Sequence, residues 1–306
     1  MIFPNRFPSL GSAMTFDIAY IGHYTKDTIV YPTATRTVDG GAFYYGANVA
    51  VRMGLRVAVV TRLAQEDWHV VAELERLGVT VFARATPAST LLRLTYPTAN
   101  LDERTIELMS SAGPFTVEEV ANLEAGAFAI GASVRGEVPP EVVEALAAKG
   151  AIVALDVQGW IRVVRNGVLT FDDWPGKQAV LKHVTVLKTD AVEAQGLTGE
   201  SDRYVAAKRL AALGPKEILL THGGGVLVYA DGQFHEAPFV PQEVRGRSGR
   251  GDTCTSAYLS RRLTASPAEA VRWAAAVTSL KLEAEGPFRR ELSEVEALYR
   301  RLSQTA

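Results

Sequence analysis

Apolar residues in this chain come in short runs separated by stretches of helical spacing. Runs at 16–21, 55–63, 79–84, 127–130, 151–155, 185–187 and 217–221 are too short for helices, and several are continuously apolar, as strands buried on both faces are. Between them, 42–53, 67–77, 140–149 and 202–213 carry helical spacing, and the first three stop at Gly54, Gly78 and Gly150. A further helix is expected at 117–123, and two more at 267–283 and 292–303. Strand and helix in alternation predict an α/β fold with a mostly parallel sheet. Two stretches break the alternation. Segments at about 28–38 and 86–110 look extended and polar at their turns, and together predict a small sheet outside the main one, a lid over a cleft. Residues 226–229 and 233–238 read as a hairpin through Asp231-Gly232.

Composition narrows the class without deciding it. The chain has 306 residues, 47% hydrophobic and 22% charged, with a net charge of -2, so no basic surface points to nucleic acid as a partner. Cys254 is the only cysteine, which excludes an intrachain disulfide. Five scattered histidines show no metal-ligand spacing. No run approaches a membrane span, and residues 1–15 read as a loose N-terminal extension without the apolar core of a secretory signal. The cytoplasm is the expected compartment.

The chemistry concentrates at 244–260, VRGRSGRGDTCTSAYLS. Gly246, Gly249 and Gly251 stand within six residues, and Asp252 follows at the head of an expected helix. Glycines let successive N–H groups converge, and a helix N-terminus adds free donors and the positive end of its dipole. An anion cradle with a carboxylate at its lip suits phosphoryl transfer. It is not a Walker A loop, and a bare glycine-rich turn is the simpler reading of the stretch alone. Arg250-Gly251-Asp252 is also the adhesion tripeptide, which would need an exposed loop on a secreted protein.

Other candidates are open to two readings each. Asp27 is placed in a strand-end loop, facing either a cleft or solvent. Gly40-Gly41 turns the chain into a helix whose Phe43, Tyr44 and Tyr45 either fill the core or line a pocket. Asp156 ends a strand, and Arg162 follows it as an anion partner or a surface residue. Asp190 and Glu193, behind Lys188, share a helix face and could hold water around Mg²⁺ or favour the helix dipole. Thr221, His222 and Gly223-Gly224-Gly225 close a strand where a ligand could approach the backbone.

In order, these pieces resemble the ribokinase-like family, also called the PfkB carbohydrate kinases, from about residue 16 to 289. The family's Gly-Ala-Gly-Asp is similar to Gly249-Arg250-Gly251-Asp252, its Asn-x-x-Glu to Asp190-x-x-Glu193, and its Gly-Gly signature to Gly40-Gly41. The resemblance implies a three-layer α/β/α sandwich with a small β lid, formed by a kinase domain over 16–306. It implies Asp252 as catalytic base and Gly249, Arg250 and Gly251 as the anion hole. Acceptor binding would fall to Asp27, Gly41, Tyr44, Asp156 and Arg162. ATP would meet Lys188, Asp190, Thr221, Gly223 and Gly225, with Glu193 holding Mg²⁺ through water. A monovalent cation is a further cofactor the family admits.

Four positions depart from the family pattern: Arg250 for alanine, Asp190 for asparagine, Tyr44 for the usual asparagine after Gly-Gly, and a nucleotide loop one residue short. IGHYTKDTI, GGAFYY and DVQGWIR look similar to the myo-inositol kinase branch, with cytidine-type nucleoside kinases and other sugar kinases as competitors. The expected activity is therefore ATP-dependent phosphorylation of a polyol, sugar or nucleoside, with myo-inositol first. A catalytically silent binding regulator is the non-enzyme alternative, and exposed lid edges invite a homodimer.

Overall fold

Successive side chains of β1 (Thr15–Ile21) go to opposite sides of a sheet. Ile18 and Tyr20 enter one apolar cluster, and Ala19 and Ile21 another. The same division recurs in β4 (Val57–Ala64) and β13 (Glu217–His222), so the sheet is buried on both faces. The computed structural model describes residues 15–98 and 103–304. All but the last residue of the expected extension 1–15, and the lid turn at 99–102, lie outside the described residues.

The main sheet has nine strands in the order β15-β14-β13-β12-β9-β8-β1-β4-β5. The added members are β5 (Thr80–Thr86), β8 (Glu124–Ile130), β9 (Ile152–Asp156), β12 (Val186–Asp190), β14 (Gly225–Ala230) and β15 (Gln233–Pro238). Pairing is parallel from β5 to β13; β14 and β15 extend it as an antiparallel hairpin. Helices α1 (Ala42–Arg52), α2 (His69–Arg76), α8 (Arg250–Arg262), α9 (Pro267–Leu282) and α10 (Leu292–Gln304) cover one face. Helices α3 (Pro140–Ala147), α4 (Gln158–Ile161), α5 (Lys177–Leu181), α6 (Ala191–Thr198) and α7 (Arg203–Ala211) cover the other.

The second sheet has six strands, in the order β10-β11-β7-β6-β2-β3. Strands β2 (Thr25–Val30), β3 (Thr35–Gly40), β6 (Thr90–Thr95) and β7 (Thr105–Ser110) are the expected lid. A third excursion, β10 (Arg162–Arg165) and β11 (Val168–Phe171), joins it through Val168 opposite Glu107 and was not expected. Asp27 therefore sits within a lid strand, paired across to Val38 and Leu92, not in a strand-end loop. Two expected helices shrink. Residues 117–119 form a single 3-10 turn closed by a Thr116–Glu119 capping box, and α2 starts at His69 after a 3-10 turn at Gln65–Asp67.

A buried polar net roots the lid. His23 N–H donates to Glu137 Oε1 at 2.9 Å, and its Nδ1 meets Thr90 Oγ1 at 2.8 Å. Lys26 Nζ and Ser89 Oγ reach the two oxygens of buried Asp67 at 2.9 and 2.6 Å.

The sheet's crossover direction changes between β1 and β8, the place where open α/β sheets bind ligands. There the backbones nearly touch. A Cβ on Gly22 would strike Gly131 O, and one on Gly131 would strike Ala42 Cβ at the start of α1. Gly22→Ala should lower stability by about 1–3 kcal/mol through this overlap. A fall in the urea midpoint at unchanged m-value checks it; an unchanged midpoint would mean that the strand ends part freely.

Candidate active site

Gly41 takes φ 105° because a Cβ there would collide with His23 O, and the chain turns through it into α1. That turn places Ala42 and Phe43 on a pocket walled by Tyr20, residues 129–131, Ala154 and Asp156, with Asp252, Thr255 and Ser256 of α8 opposite. Tyr20 and Ser256 are hydrogen-bonded, and Ser256 Oγ donates to Gly46 O at 2.7 Å, which clamps α8 to α1.

Helix α8 begins as the glycines predict. Gly249 is its N-cap at φ 72°, and a Cβ there would run into the Tyr45 ring. Gly249 and Gly251 N–H meet no acceptor among the described residues, whereas Arg250 N–H donates to Arg247 O at 3.2 Å. Two of the three expected anion-hole donors are thus free, and Arg250 N–H closes a turn. The Arg250 charge reaches His222, toward β13.

Beneath this first turn lies a buried ionic cluster. Lys188 stands opposite Asp156 in the β12–β9 register, and its Nζ is 2.9 Å from Asp156 Oδ2 and 3.8 Å from Glu193 Oε2. A Cβ on Gly251 would sit 3.0 Å from Lys188 Cε and Nζ, so a side chain there would push the ammonium aside. Burial works against the Lys188 charge, but Asp156, Glu193 and Asp252 hold its pKa above the ordinary value. Asp252 is pushed up to about 6, first by burial and then by Asp156, with Lys188 and Arg162 opposing. Burial also lowers the Arg162 pKa. The Arg162 guanidinium makes no hydrogen bond or ion pair among the described residues, although Glu193, Asp156 and Asp190 all act on it.

Asp27 approaches from the lid. Its pKa is pushed up to about 6, by burial first, with Thr25 and Arg104 opposing and Asp252 adding to the rise. Its Oδ1 is buried with no hydrogen-bond partner. An orphaned buried acceptor beside a pocket is what a hydroxyl-bearing ligand would satisfy.

Other expected site residues go elsewhere. Tyr44 hydroxyl donates to Glu73 at 3.3 Å, so it faces α2 while Phe43 meets the pocket. Asp190 and Glu193 form the capping box of α6: Asp190 Oδ1 accepts from Glu193 N–H at 2.8 Å, and Glu193 Oε2 from Asp190 N–H at 2.9 Å. Each keeps one oxygen outside the box. Thr221 is buried in β13, and Gly223-Gly224 make its two-residue turn into β14. Gly225 is needed for packing, because a Cβ would strike Ala237 O in β15. Space beside Gly223 is open. Of the two readings open for Phe43, core or pocket, the pocket holds, whereas Arg104, which acts on Asp27, was missed. The four-residue strand β10, which carries Arg162 into the lid, gave too short a pattern to see.

Similarity to known proteins agrees with this geometry. Residues 5–290 match the model of the pfkB family carbohydrate kinases. A solved pyrophosphate-dependent kinase in the ribokinase family, complexed with a pyrophosphate analog and myo-inositol, is 35% identical with a TM-score of 0.85, covering 92% of this chain and 99% of that one. The cytidine kinase of Thermococcus kodakarensis is 27% identical over 262 residues, 80% of this chain and 87% of that protein. Arabidopsis thaliana ribokinase complexed with ribose and ATP shares the fold, with a TM-score of 0.76 at 20% identity over 94% of this chain and 99% of that one. A sheet between two helical layers, a lid, and an aspartate in the first turn of a glycine-capped helix are thus set in a matching chain of nearly full length, and the protein belongs to the pfkB family of carbohydrate kinases, enzymes that transfer phosphoryl groups to small molecules.

Proposed function

We propose that the chain phosphorylates a hydroxyl of a neutral cyclic polyol, with myo-inositol as the first acceptor to try. The observation that carries this reading is the pair Asp27 and Asp252. Asp252 lines the pocket, Asp27 lies near enough to feel its charge, each is pushed up to about 6, and Asp27 presents a buried, unpartnered oxygen. Asp27 accepts a hydrogen bond from one hydroxyl and holds the ring. Asp252 takes the proton of another as that oxygen attacks the terminal phosphorus of the donor. The bond from phosphorus to the donor's bridging oxygen breaks, and the diphosphate or phosphate leaves. Gly249 and Gly251 N–H, the α8 dipole and the Lys188 ammonium stabilise charge on the transferring group.

The donor expected for the family is ATP. Pyrophosphate is a second reading, supported by the pyrophosphate-dependent relative at 35% identity. Both donors present a terminal diphosphate to the same helix end. No cluster of three or more His, Cys, Asp or Glu suited to a metal occurs among the described residues. The oxygens that Asp190 and Glu193 keep outside the capping box fit Mg²⁺ arriving with the donor and held through water. Such an ion would offset charge on the donor phosphates.

A panel pairing ATP, other nucleoside triphosphates and pyrophosphate with myo-inositol, sugars and nucleosides tests this reading. Turnover of a neutral cyclic polyol is expected to exceed that of cytidine and ribose. Preference for a nucleoside would overturn the choice of acceptor.

Asp252→Asn should cut kcat by about 10²–10⁴-fold. The same change should raise stability near pH 8 by about 1–3 kcal/mol, because the folded pKa of about 6 exceeds the ordinary 3.8 and ionisation is disfavoured in the fold. That gain should fade as pH falls through 6 and vanish below about 4. Near-native kcat would remove Asp252 as base. In the wild type, kcat/KM should fall on the acid side of about 6, a limb shared by Asp27 and Asp252.

Asp27→Ala should raise the acceptor KM by about tenfold or more while the donor KM stays put, the loss of one charged hydrogen bond. Equal KM for the acceptor would rule out its holding role.

A further inference from the structure

Lys281 is among the largest fully buried side chains, only 2% exposed, in the apolar end of α9 between Leu280 and Leu282. The mechanism above makes no use of it. Its Nζ donates to Gly246 O at 2.9 Å and lies 6.0 Å from the centre of the Tyr45 ring, with no other hydrogen bond among the described residues. A buried ammonium costs several kcal/mol unless its surroundings compensate. Here the compensation comes from one carbonyl, one aromatic face and the fields of Asp252 and Glu285, which oppose a burial effect that draws its pKa down to about 8.

Each of these partners belongs to the approach of the anion hole. Arg245 and Gly246 N–H both donate to Leu282 O, at 2.8 and 3.1 Å, and a Cβ on Gly246 would strike Ala284 O. The backbone before α8 is thus laid directly on the end of α9. Tyr45 bridges the two sites, with Lys281 over its ring and Gly249, the N-cap of α8, against the ring's edge. Glu285 is held by Arg36 of lid strand β3 at 2.6 Å, so the same end of α9 is also tied to the lid.

We infer that Lys281 is a positioning residue for phosphoryl transfer, a tethered cation that fixes residues 245–249 and through them the first turn of α8. It touches neither acceptor nor donor. Its ammonium holds the Gly246 carbonyl where a neutral side chain would leave an unfilled, cation-sized hole lined by that oxygen and an aromatic face. Being covalently tethered, it needs no exchangeable ion. This inference rests on the kinase reading above.

Lys281→Met keeps the length and apolar stem. It should lower kcat by about 10- to 100-fold, the scale of a small misplacement of catalytic groups, and leave the acceptor KM nearly unchanged. Ammonium, methylammonium or K⁺ should restore much of the lost kcat, and tetramethylammonium, too large for the hole, should not. The wild type should show no difference among these salts at matched ionic strength. Retention of kcat within about twofold would overturn the inference. So would a loss that no small cation repairs and that follows a fall in Tm, since that marks general destabilisation. If the wild type phosphorylates no acceptor in the panel, the kinase reading fails first. Amide exchange over 246–253 then tests Lys281 by itself: faster exchange in Lys281→Met, slowed again by ammonium, supports the tether, and unchanged exchange overturns it.

Discussion

Lys188 is the interaction on which the site depends. Buried Asp156 and Glu193 and half-buried Asp252 lie within its field, an arrangement that unpaired carboxylates could not keep in ionised form. The ammonium is held by the sheet, because the β12–β9 register sets Lys188 opposite Asp156. Its approach to the first turn of α8 is eased by the missing side chain at residue 251. One strand register and one glycine thus decide where the positive charge lies and how far the charge of Asp252 is offset. The remaining imbalance leaves Asp252 at about 6, able to lose its proton near neutral pH and to regain one readily.

Crowding at the floor of the pocket does similar work for geometry. Gly22, Gly131 and Gly41 let the ends of β1 and β8 and the start of α1 approach to contact. With no slack there, the positions of Phe43 below and α8 opposite follow from the sheet itself. The lid is tied down in another way, through buried hydrogen bonds of His23, Glu137 and Asp67. Of these partners only Lys26 reaches solvent, beside its ion pair with Asp67. The division suits a rigid floor under a part that must admit and release ligands.

What was legible in the sequence follows the range of the forces involved. Strands 16–21 and 217–221, the glycine-capped start of α8 and the Asp231-Gly232 turn are local events, written in adjacent residues. TKDTIV alternates poorly along its length, and only its partners β3 and β6 make Asp27 a strand residue. Tyr44 and Phe43 lie about 100° apart on one helix, and sequence alone does not say which faces the sheet. The packing need for Gly225 comes from Ala237, a cross-strand neighbour that the adjacent residues do not reveal. Lys281 drew no notice in an alanine-rich helix, since its partner Gly246 is 35 residues away.

The charge pattern bears on which molecules such a pocket could turn over. Asp252 raises the pKa of Asp27, and in the proposed reaction both acids face the acceptor, while Lys188, Arg162 and the α8 N-terminus supply the opposite sign. An anionic acceptor would meet two carboxylates in a medium of low dielectric, where like charges a few ångströms apart repel by several kcal/mol. A neutral polyol meets the same acids as hydrogen-bond acceptors and relieves the unpartnered Asp27 oxygen. On the proposed reaction, transfer reverses that relation, for the product would carry a phosphate near the same acids. Attraction to the acceptor becomes repulsion of the product by the same side chains. Binding and release are thereby driven from one arrangement of charge, with the lid left only to open.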